Sequence, residues 1–70
     1  LHIDTLRKLE HERLRALIMC LPPEEQDTVV FHDLKEMSFR EISEMLDVPQ
    51  STLKSRHARA LSRLRSLWKE

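Results

Sequence analysis

Residues 38–60, SFREISEMLDVPQSTLKSRHARA, constrain the fold of this chain more than any other stretch. Ser38 and Glu41 have the Ser-x-x-Glu spacing of a capping box, in which each side chain satisfies a free backbone N–H of the other. Met37 before the cap and Ile42 after it are placed to form a hydrophobic staple. The short helix that starts here ends near Leu46, and Val48-Pro49 forces an extended step, because a residue before proline avoids the helical region. Only Asp47-Val48-Pro49 then separates it from a second, longer helix. A short capped helix, a three-residue turn and a long helix make a helix-turn-helix, over about residues 38–68.

The long helix, about residues 50–68, divides by face. At about 100° per residue, Leu53, His57, Ala60, Leu61, Leu64, Leu67 and Trp68 fall on one side. Thr52, Ser55, Arg56, Arg59 and Arg63 fall together on a flank away from that stripe. From Gln50 to Lys69 there are six Lys/Arg and no acid, whereas residues 1–49 hold six Lys/Arg against eleven Asp/Glu. The zero net charge of the chain therefore conceals a basic end. Most charge runs are solvated helix surface and nothing more. Here the uninterrupted basic run follows a helix-turn-helix turn, and short hydroxyls with Arg on one face suit phosphates and base edges. The expected activity is DNA binding, with the second helix in the major groove. Arg40, in the first turn of the shorter helix, is placed either to meet a phosphate or to pair with Glu44 one turn on. Arg65 and Lys69 read as solvated charges that complement the helix C-terminus.

Upstream, a helix is expected over about residues 3–20, with its apolar stripe at Leu14, Leu17, Ile18 and Leu21. Pro22-Pro23 ends it and opens the next, since proline is tolerated in a first turn. Glu24, Glu25 and Asp27 suit a helix N-terminus. That second helix should run to about Lys35 and turn Val30, Phe31 and Leu34 inward. The expected fold is all-α: one four-helix domain over residues 1–70, without winged elements. With no Gly, few aromatics and 34% charged residues, the composition favours a helical bundle over a sheet. A chain without Gly cannot form a Gly-rich phosphate loop. His2, His11, His32 and His57 show no ligand-like spacing and Cys20 stands alone, so no metal, cofactor or enzymatic activity is expected. No run approaches a membrane span and no signal peptide is present, so a cytoplasmic protein without membrane contact is expected. The chain opens on Leu1, not Met, as a piece of a longer protein would.

Leu21-Pro22-Pro23-Glu24-Glu25, Leu34 to Ile42, Val48-Pro49 and Thr52-Leu53-Lys54-Ser55-Arg56 ending in Arg59-Ala60 resemble region four of bacterial sigma factors. The resemblance is closest to the extracytoplasmic-function group and spans about residues 12–66. It implies a domain that binds the minus-35 element of double-stranded promoter DNA within RNA polymerase holoenzyme, in transcription initiation. By position, Lys54, Ser55 and Arg59 should approach bases and phosphates, supported by Gln50, Thr52, Arg56 and Arg63, with Ser51 adding a side chain near the DNA. It further implies docking on the flap of the polymerase beta subunit and masking by an anti-sigma factor. Glu36, Asp47 and Ser51 stand where the family often has Gly. Asp tolerates a left-handed backbone, whereas Glu36 is poorly suited to one. Ala58 is small where a larger contact is expected. The DNA-binding domain of a LuxR-type regulator shares the four-helix plan, but Leu-Pro-Pro and Lys-Ser-Arg favour the sigma factor. In a different class, the chain reads as a helical protein-interaction module that docks through Cys20 to Phe31 and leaves its basic face idle.

Overall fold

A computed structural model describes the backbone of residues 3–68 and the side chains of residues 11–68. Helix α1 spans Ile3–Ile18, α2 spans Pro23–Val29 and continues as a π-helical turn over Val30–Leu34, α3 spans Phe39–Leu46 and α4 spans Gln50–Leu67. The described residues contain no strand, so the all-α expectation holds, and each helix lies where the pattern of capping and proline placed it.

The joints follow from local chemistry. Pro22 accepts from the Gln26 N–H at 2.9 Å and opens α2, while the Gln26 side chain donates to the Ile18 carbonyl at 3.2 Å and so satisfies the open end of α1. The capping box forms in both directions. Ser38 Oγ accepts from the Glu41 N–H and Glu41 Oε1 from the Ser38 N–H, each at 3.0 Å. The Ser38 N–H bonded to the carboxylate, and after it the Ser38 side chain, hold Glu41 below the usual carboxylate range.

Both exits use a left-handed residue that is not glycine. Asp47 has φ 56° and ψ 46°, and the Val48 N–H reaches back to the Ser43 carbonyl at 3.3 Å, the closure of a left-handed helix end. Glu36 also has φ 56°, after the Met37 N–H has closed on the Phe31 carbonyl at 3.0 Å. The loop thus does require the conformation to which Glu36 is poorly suited. A left-handed backbone costs an ordinary side chain about 1–2 kcal/mol, and an Asp less.

Ile18, Leu21, Val29, Ala60 and Leu64 form the main core, flanked by Leu14, Leu17, Val30 and Leu61. Ile42 of α3 and Leu53 of α4, both with no exposed surface, are the buried centre of the helix-turn-helix. Two expectations need correction. The second helix turns Glu25, Thr28 and Val29 inward; Val30 and Phe31 are only half-buried, and Leu34 is 47% exposed. The apolar pattern pointed to residues 30, 31 and 34; instead Glu25 is buried where it meets Arg63, and Val30 packs only at the edge of the core. Leu67 is 46% exposed, since it lies in the last turn of α4 at the rim of the stripe. Trp68 covers the end of the core half-buried, with the Arg13 guanidinium 4.2 Å above its ring.

Candidate nucleic-acid interface

Helix α4 has 18 residues and is roughly 27 Å long at the rise of an α-helix, enough to serve a core and a groove together. Leu53, Ala60 and Leu64 are its buried line. On the opposite side Ser51, Lys54, Ser55, Ala58, Arg59 and Ser62 are exposed, with Gln50 exposed at its start. No acid lies on this face. Lys54 forms no ion pair among the described residues, and Arg59 Nε donates to the Ser55 carbonyl of its own helix at 3.4 Å. Both cations are therefore available to an outside anion.

The flank expected to gather Thr52, Ser55, Arg56, Arg59 and Arg63 is split by tertiary packing. Arg63 Nε donates to Glu25 Oε1 at 2.9 Å, and Glu25 is only 7% exposed. Arg56 Nη2 lies 3.7 Å from Glu24 Oε2, with its own side chain largely covered and that of Glu24 mostly exposed. Thr52 is half-buried on the same edge. The acids that suit the N-terminus of α2 thus also hold α4 against it. Arg63 satisfies a buried carboxylate that would otherwise be costly. Arg40 Nε pairs with Glu44 Oε1 at 3.3 Å, one turn on; both side chains are largely solvated, so the pair contributes little and releases Arg40 easily. Ser62 was not singled out by residue type, and Ala58 only as a small residue where a larger contact is expected. Angular position on α4 puts them beside Ser55 and Arg59. Lys69 lies outside the described residues.

A second constellation is on the inner side of α4. His57 Nε2 and Asp33 Oδ2 are 2.7 Å apart, and His32 Nδ1 is 2.8 Å from the Met37 carbonyl. Phe39 stacks on His32 with centroids 4.0 Å apart. Spacing in sequence does not show this group, since it joins the π-helical turn, the start of α3 and the middle of α4.

A short α3, a tight left-handed turn and a long α4 with an acid-free polar face define a helix-turn-helix DNA-binding domain. The family described as Sigma-70, region 4 matches residues 11–64, and the chain belongs to it. No curated protein and no solved structure matches the chain. It is thus a sigma-factor DNA-binding domain, of a family that binds promoter DNA and RNA polymerase and is not a family of enzymes. No helix among the described residues is long and apolar enough to cross a membrane.

Proposed function

We propose that this chain reads the minus-35 promoter element for an extracytoplasmic-function sigma factor, with the first turns of α4 in the major groove and α3 crossing the backbone. The observation that carries this reading is the acid-free outer face of α4, where Ser51, Lys54, Ser55 and Arg59 are exposed together. The Leu-Pro-Pro start and the Thr-Leu-Lys-Ser-Arg run support the group assignment. Gln50, Lys54, Ser55 and Arg59 contact bases and the nearest phosphates, with Ser51 beside them. Arg40 contacts a phosphate from α3 once it leaves Glu44. Arg56 exchanges its loose, exposed Glu24 partner for a phosphate. Arg63 and Thr52 position α4 on α2. The domain docks on the beta-subunit flap of the polymerase, and an anti-sigma factor that covers α4 would silence it.

Holoenzyme binding to duplex promoter DNA, measured over a salt series, tests this. Phosphate neutralisation requires affinity to fall linearly on a log–log plot, with a slope shallower by about one after loss of each phosphate contact. Arg59→Glu should abolish minus-35-dependent binding while polymerase is still captured. Binding without salt dependence, or intact promoter selection in Arg59→Glu, would refute the assignment. The second outcome would favour the helical interaction module, for which the basic face is idle.

A further inference from the structure

We propose that His32, Asp33 and His57 form a binding site for one divalent transition cation, with Zn2+ as the best chemical fit, that clamps the π-helical turn to α4. One ligand atom from each residue lies within 4.8 Å of the other two. Two imidazoles and a carboxylate are borderline donors of the kind that bind zinc through three protein ligands and leave a fourth position to water.

Three further features point the same way. A carbonyl oxygen can only accept, so the 2.8 Å contact with Met37 puts the His32 proton on Nδ1 and leaves its Nε2 with the lone pair. A bond from the second ring nitrogen to a backbone carbonyl is the outer-shell arrangement that orients metal-bound histidines. The rings are also held. Phe39 lies 11° from parallel with His32, and His57 meets His32 edge-on at 81°. Finally, His32 and Asp33 are neighbours in sequence, which on an α-helix would diverge by about 100°. The π-helical turn over Val30–Leu34 is wider and narrows that divergence, and such turns occur often at functional sites.

Zinc bonds of about 2.0–2.1 Å place tetrahedral ligand atoms about 3.3 Å apart. The His57–Asp33 pair at 2.7 Å must open slightly and the longest separation must close, which side-chain rotation can supply. His57 then carries its proton on Nδ1 and binds through Nε2. Asp33 is exposed and provides the entry path. The ion would not cover the DNA face, because His57 lies on the inner side of α4. It would join α2, through its π-helical extension, to the recognition helix.

The test is titration of the full chain with Co2+ followed by displacement with Zn2+, read by absorption and by imidazole 15N resonances. The site predicts one ion per chain, visible Co2+ ligand-field bands, and shifts confined to the His32 and His57 rings. Zn2+ should raise Tm, and His32→Gln or His57→Gln should each weaken affinity by more than about tenfold. Three results would overturn the site: no ion taken up by the unaltered chain, shifts at His2 or His11 instead, or affinity unchanged in both variants. The ring shifts are read on the unaltered chain, so they decide the matter even if a variant folds poorly.

Discussion

The two edges of α4 carry the same residue type to different ends. On one edge Arg56 and Arg63 face Glu24 and Glu25 of α2. On the outer face Lys54 and Arg59 meet no acid among the described residues, and Arg59 only touches the carbonyl of Ser55. An arginine's work is thus decided by what its neighbours have already offered it. A buried carboxylate such as Glu25 captures a guanidinium to offset its own desolvation. An exposed face with no acid leaves the guanidinium to recruit phosphate or a guanine edge from outside.

Substitutions on each edge can break this contrast. Leu53→Ala, beneath both edges, should have the largest effect, about 2–5 kcal/mol of folding stability, read by urea unfolding. If promoter binding falls while stability does not, Leu53 is no core residue. Arg59→Ala should leave the unfolding curve in place and cost about 1–3 kcal/mol in promoter affinity, with relaxed preference at one base pair. Glu25→Ala should do the reverse. It removes one charge-assisted bond to a half-exposed Arg63, so about 1 kcal/mol of stability is expected to go. DNA affinity should hold or rise as Arg63 is freed. Equal losses of affinity for Glu25→Ala and Arg59→Ala would erase the distinction between the edges.

The smallest effect is expected at the cap of α3. Glu41 has a carboxyl lowered by its bonds to Ser38, so its contribution is full at neutral pH and above the ordinary carboxylate range. It is lost as pH falls through the lowered value. Wild type and Glu41→Gln, which keeps the hydrogen bond but not the charge, should therefore differ slightly at neutral pH and converge in acid. Parallel curves in thermal melts across that range would show that the charge does nothing.

Much of the molecule was legible in the residues. The Ser38–Glu41 box and the proline-marked joints depend on groups within a few positions of one another and formed as read, whereas the second helix, expected as one run to about Lys35, passes into a π-helical turn at Val30. The left-handed residue at Asp47 was legible through likeness to a family that often has Gly there, and the Asp side chain tolerates it. Glu36 was legible by the same likeness, although its side chain suits the conformation poorly. Of the outer face of α4, angle alone picked out Ser55 and Arg59, while Lys54 and Ser51 entered through the family likeness. Angle could not show which flank would meet another helix. Arg56, Arg63 and Thr52 were therefore grouped with close neighbours on α4 that meet no acid. Of residues 30, 31 and 34, Val30 packs at the edge of the core, whereas Leu34 is exposed and Thr28 and Val29 are the buried residues.

The amino-acid sequence by itself determined four helices, their caps, a three-residue turn and a family, since these rest on local hydrogen bonding and on one period of burial. Tertiary packing decided the partners. Arg63 and Glu25 are 38 positions apart and His57 and Asp33 are 24 apart. Such pairs form only because burial of Ile18, Val29 and Leu64 holds α2 against α4, and no periodicity encodes which charges that contact will bring together.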